Sequence, residues 1–115
     1  MTNKEIIKEI IAFRDARDWK QFHTPKNLSE SVVIEASELL EMFQWVDSSK
    51  SEQFAQESKG KIEDEIADVM IYILYLCHDL GIDLEEAISN KIRKNGEKYP
   101  QDKSKGNSKK YNEFK

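Results

Sequence analysis

Glu35 and Glu38, and then Glu65 and Asp68, form two acid pairs at i, i+3 spacing, which sets side chains one helical turn apart. Each pair stands inside an apolar helical pattern. In a projection at about 100° per residue, Val32, Leu39, Met42 and Val46 fall within about 60° of Glu35, and Glu38 about 60° to the other side. Ser37, Glu41 and Gln44 occupy the opposite arc, the solvent side. In the second stretch Glu65, Asp68, Val69, Tyr72 and Leu76 share one stripe. Ionised carboxylates turned inward without partners are costly, and four on facing helices repel, so a divalent cation is the simplest compensation. An all-oxygen donor set suits Mg²⁺, Mn²⁺ or Ca²⁺ better than zinc, and Mg²⁺ held by few carboxylates takes water and phosphate oxygens for the rest of its shell. The bland alternative is four solvated helix positions; two such pairs on apolar arcs, with 26 residues between them to bring the chain back, favour the metal.

Four helices are needed to position these acids. Thr2 with Glu5 has the form of a capping box, and Ile6, Ile7, Ile10, Ile11 and Phe13 give a stripe to about Arg17. The segment R-D-W-K-Q-F-H-T-P-K-N-L follows, and Pro25 stops it from continuing as helix. Trp19 and Phe22 read equally as a staple onto the next helix or as a surface for a flat ligand, and His23 alone reads as a structural histidine. Asn27 with Glu30 predicts a second helix from about Leu28 to Val46, near whose end Trp45 is either core or a stacking wall. Residues 47–60 read as a polar connection with one short helical piece and a single large apolar residue, Phe54. The third helix, about Lys61 to Leu80, is apolar nearly all round from Ile66 to Cys77, which places it centrally or in a subunit interface, and Gly81 ends it. Asp83 with Glu86 opens the fourth helix, with Leu84, Ala87, Ile88 and Ile92 toward the core. Lys91, Asn95 and Tyr99 recur every four residues on its surface, either a solvated face or cations for phosphate oxygens.

Of the 115 residues 35% are charged and strands are hard to find, so a single all-α bundle over residues 1–100 is expected, followed at 101–115 by a lysine-rich tail of disordered composition. Residues 1–100 hold 13 Lys/Arg against 20 Asp/Glu, which excludes the basic face of a duplex-binding protein and means a polyphosphate would need metal as a bridge. The lone Cys77 sits in an apolar run and reads as a reduced core thiol. The opening residues lack the pattern of a secretory leader and the longest apolar run is too short for a bilayer, so a cytosolic protein without membrane contact is expected. A di-iron bundle is a further alternative, against which stands that neither His23 nor His78 lies three residues after a glutamate. A non-catalytic helical interaction protein, with the acids as surface charge, is the rival of another class.

The pairs E-x-x-E (Glu35, Glu38) and E-x-x-D (Glu65, Asp68), with W-x-x-F-H-x-P before them, F-Q-W after the first, and K-x-x-x-N-x-x-x-Y-P at the end, resemble the MazG-like nucleotide pyrophosphohydrolases of the all-α NTP pyrophosphatase superfamily over about residues 5–100. Within that family the likeness is to the branch acting on dCTP. The resemblance implies a four-helix bundle completed as a homodimer or homotetramer, and hydrolysis of a nucleoside triphosphate to the monophosphate and pyrophosphate. Glu35, Glu38, Glu65 and Asp68 would ligate Mg²⁺, with Mn²⁺ as a substitute and Glu38 as the base. Trp19, His23 and Trp45 would surround the nucleobase, Tyr72 would stand beside it or the sugar, and Lys91, Asn95, Lys98 and Tyr99 would approach the phosphates. Glu41 aligns with a third acid of the wider pattern, while its helical angle turns it toward solvent.

Overall fold

Thr2 opens α1 (Asn3–Ala16) with the expected capping box: its hydroxyl accepts from the Glu5 N–H at 3.2 Å, and the Glu5 carboxylate accepts from the Thr2 N–H at 3.1 Å. The computed structural model describes residues 1–113; Phe114 and Lys115, the end of the lysine-rich tail, lie outside the described residues. After α1 the chain turns sharply through Asp18, which adopts a left-handed backbone at φ 55°. The Gln21 amide donates to the Asp18 carbonyl at 2.9 Å and to its carboxylate at 3.1 Å, and the Trp19 N–H returns to the Arg14 carbonyl at 3.1 Å. The turn brings Trp19 edge-on to Phe13 of α1, ring centroids 5.7 Å apart, so Trp19 packs backward onto α1.

The second helix, α2 (Pro25–Phe43), starts earlier than the sequence pattern suggests. Its cap is Thr24, whose hydroxyl accepts from the Asn27 N–H at 3.1 Å, and Pro25 occupies the first turn, where its missing N–H costs nothing. The Asn27 side chain instead donates to the Phe22 carbonyl at 3.0 Å. Because α2 stops at Phe43, Trp45 falls beyond the helical stripe and is 89% exposed, which corrects its reading as core. In the connection α3 (Ser51–Glu57), Phe54 meets Phe43 edge-on at 5.3 Å and ties the segment to α2.

Helix α4 (Lys59–Leu80) ends at Gly81, whose φ of 67° lets its N–H donate to the Cys77 and His78 carbonyls. α4 packs most extensively on α2, and also on α1 and α3, the central position that its apolar circumference demands. Leu28 of α2 and Leu74, Tyr75 and Cys77 of α4 are the buried apolar residues of the core. Burial raises the Cys77 pKa, consistent with an inert core thiol.

These elements form one compact unit, Met1–Gly81, and a second unit begins at Ile82. Within the second, Asp83 caps α5 (Leu84–Lys98) by accepting from the Glu86 N–H at 3.1 Å, and α6 (Gln101–Ser104) follows Pro100 as a single turn. Ile88 and Ile92, expected to face the core, are exposed. Among the described residues the fold is all-α without strands, and no helix is long and apolar enough to cross a membrane. Leu28 is 1% exposed, so Leu28→Ala removes core contact where α2 meets its neighbours and should cost about 2–5 kcal/mol. Urea denaturation measures this, and a loss under about 1 kcal/mol would place the core elsewhere.

Candidate metal centre and adjoining cavity

Glu35 and Glu38 from α2 and Glu65 from α4 each bring one carboxylate oxygen into a triangle whose members all lie within 4.8 Å of one another. All three side chains are half-buried, as their place inside apolar stripes requires. Glu65 Oε2 is buried without a hydrogen-bond partner. Among the described residues no lysine or arginine makes an ion pair with the triangle, whereas Asp79 has both Arg14 and Lys20. Burial first, then hydrogen bonding and charge from Glu38, and then the charges of Asp68 and Glu65, push Glu35 up to about 7. Burial and the charge of Glu38 likewise raise Glu65. An oxygen-only donor set, mutually repelling and carrying an orphaned buried oxygen, fits a hard divalent cation.

Asp68 stands outside the triangle and is exposed, yet its charge contributes to raising Glu35. It also lines a cavity of about 420 Å³. Phe13 of α1, Trp19 and His23 of the turn, and Tyr72 and Tyr75 of α4 make the aromatic wall of that cavity. The His23 ring lies 5.1 Å from Tyr75 and 6.3 Å from Tyr72, and its Nδ1 is buried without a partner. Burial, followed by the positive charges of Arg14 and Lys20 and opposed by Asp79, lowers the His23 pKa from 6.5, so the imidazole is neutral at pH 7. Burial and the acids Glu35, Asp68 and Glu38 raise Tyr72, which keeps its phenol proton.

The structure therefore gathers Glu35, Glu38 and Glu65, and separately gathers Trp19, His23 and Tyr72 with Asp68. Trp45 does not line the cavity, and Glu41 is exposed, as its helical angle requires. Lys91, Asn95 and Lys98 lie on α5 of the second unit, with Tyr99 at its C-terminal cap donating its N–H to the Asn95 carbonyl at 2.8 Å. Sequence reasoning missed Phe13 and Tyr75 as wall residues and missed Arg14 with Asp79 behind them. The signal was there: Arg14 continues the Ile7, Ile10, Ile11 stripe as a charge on an apolar face, the same anomaly that exposed Glu35.

Residues 31–114 match the MazG-like family, and the chain belongs to it. It is similar to dCTP pyrophosphatase 1 of mouse, with 34% identity over 104 residues, and of human, with 36% over 104 residues. Each alignment covers 89% of this chain but 61% of the relative, so the chain spans less than two thirds of these curated proteins. The crystal structure of a pyrophosphatase from Archaeoglobus fulgidus superimposes with a TM-score of 0.82 at 46% identity, covering 84% of this chain and 91% of that one.

The raised Glu35 has a consequence for stability. Its folded-state pKa of about 7 exceeds the ordinary 4.5, so the native state holds a proton that the unfolded chain has released between those values. Metal-free protein should lose stability as pH rises from 4.5 through about 7, and Glu35→Gln should flatten that slope. Glu65, also raised, adds to this loss and His23, lowered, opposes it, while Asp79 acts below its ordinary 3.8, so the difference between wild type and Glu35→Gln reads the Glu35 contribution. Thermal melts across this range in chelator decide it; identical slopes for both proteins would refute the assignment.

Proposed function

We propose that the chain hydrolyses a nucleoside triphosphate between the α- and β-phosphates, releasing a nucleoside monophosphate and pyrophosphate, with dCTP or a related pyrimidine deoxynucleotide as substrate. The carrying observation is that Asp68 lies on the wall of an aromatic cavity and also acts electrostatically on the carboxylate triangle, so a flat base and a polyphosphate would have adjoining places. The names of the relatives support the reaction and the base. Removal of unwanted nucleotides from the pool is the physiological role this suggests.

Glu35, Glu38, Glu65 and Asp68 would hold Mg²⁺, with Mn²⁺ as a substitute; such an ion draws charge from phosphate oxygens and makes a water more acidic. Glu38 accepts the proton of the attacking water in this reading. Trp19 and Tyr72 offer ring faces to the base, and His23, neutral, offers an unpaired ring nitrogen instead of a second positive charge. The apolar wall limits water around the reacting groups. Trp45, so exposed in the single chain, is assigned to the substrate in an assembled protein. Assembly as a homodimer or homotetramer is inferred from α2 and α4, where Val33, Ile34, Leu40 and Ile66 stand outward, each at least 48% exposed.

Pyrophosphate release with Mg²⁺ across the deoxy- and ribonucleoside triphosphates tests the reaction. Release should be greatest for dCTP, disappear with chelator, and fall about a hundredfold or more in Glu38→Ala and Asp68→Ala. Near-normal rates in those variants would move the site, and silence on every nucleotide from folded protein would return the chain to the interaction-protein reading. Sedimentation should show a dimer or tetramer; an active monomer would remove the assembly.

A further inference from the structure

Arg14 and Asp79 form a buried ion pair that takes no part in the reaction above. Arg14 is 2% exposed, its two terminal nitrogens donate to the two Asp79 oxygens at 2.9 Å each, and Lys20 reaches the same carboxylate at 3.6 Å. Burial pushes the Asp79 pKa up, but hydrogen bonds and charge from Arg14 outweigh it and hold the group below its ordinary value. A buried pair of this kind is often no more stabilising than apolar residues of the same volume, so stability alone is a weak reason for it. What it touches is the back of the cavity wall. The Arg14 guanidinium carbon lies 4.9 Å from the Tyr75 ring centroid, the Tyr75 hydroxyl donates to the Ile10 carbonyl at 2.9 Å, and the Tyr75 ring is 5.1 Å from His23. Tyr75 and His23 line the cavity, whereas Arg14 and Asp79 stand one layer behind. The Arg14 carbonyl also receives the Trp19 N–H, so the same residue anchors the turn that delivers Trp19.

We propose that Arg14 and Asp79 are positioning residues, a charged lock between α1 and α4 that sets Tyr75, His23 and Trp19 as a preformed wall for the base of the nucleotide. The proposal rests on the cavity being the base site in the reading above. The positive charge of Arg14 also disfavours a proton on His23, which keeps the wall uncharged. Without the lock, these side chains would have to be ordered when the ligand binds, which weakens a base-bearing ligand by about tenfold. The carboxylate triangle lies on α2 and the earlier part of α4 and contains neither residue, so a ligand with phosphates and no base is unaffected.

The test uses the full chain carrying Arg14→Met with Asp79→Leu, apolar replacements that remove both charges together. Calorimetry with Mg²⁺ measures binding of a non-hydrolysable α,β-methylene analogue of dCTP and, separately, of tripolyphosphate. The expected result is unchanged helicity, an analogue affinity about tenfold weaker, unchanged tripolyphosphate affinity, and for dCTP a raised KM at near-normal kcat. Arg14→Lys keeps the charge but loses the two-pronged geometry, and should weaken analogue binding alone; it carries the test if the double variant does not fold. Folded variants that bind the analogue as the wild type does, or that lose both ligands equally, overturn the proposal. Wild-type protein that binds neither ligand defeats the substrate reading and this proposal with it, whereas analogue binding unchanged by substitution defeats the proposal alone.

Discussion

Three carboxylates whose oxygens lie within 4.8 Å of one another repel, and the contact of α2 with α4 must hold them together. Leu28 on α2 and Leu74, Tyr75 and Cys77 on α4 are the buried apolar residues of the unit that holds those helices, in a chain with a small core. Part of the repulsion is relieved by protonation, visible in the raised Glu35 and Glu65. A divalent cation relieves it more fully, which is why the arrangement reads as a binding site instead of a fault in the packing.

One face of α4 organises the first unit. Glu65, Asp68, Tyr72, Tyr75 and Asp79 follow one another at alternating three- and four-residue steps, so they form a single stripe along the helix. Its beginning meets the α2 acids, its middle forms the aromatic wall, and its end is tied to Arg14 of α1. The two ends deal with buried acid differently. Asp79 has its cations built in as Arg14 and Lys20, while Glu35, Glu38 and Glu65 have none among the described ion pairs.

Much of this was legible in the sequence, because an acid inside an apolar stripe is a local signal that periodicity displays. The capping box at Thr2, the stop at Gly81 and the central place of α4 followed from short-range chemistry. The start of α2 was misplaced because Thr24 with Pro25 outcompetes Asn27 as a cap, and its end was misplaced because the helix stops at Phe43, short of Val46. Asp68 has the right spacing yet lies outside the triangle, since the angle of a residue on its own helix does not say how far the neighbouring helix reaches. The Arg14 and Asp79 pair spans 65 residues, and no local pattern in either helix names its partner.

A manganese titration followed by the electron paramagnetic resonance of the free ion asks whether Glu35, Glu38 and Glu65 hold a divalent cation. Mn²⁺ should bind saturably, be displaced by Mg²⁺, and fail to bind Glu65→Gln protein of unchanged helicity. Equal binding by wild type and variant, or none by either, would contradict that site.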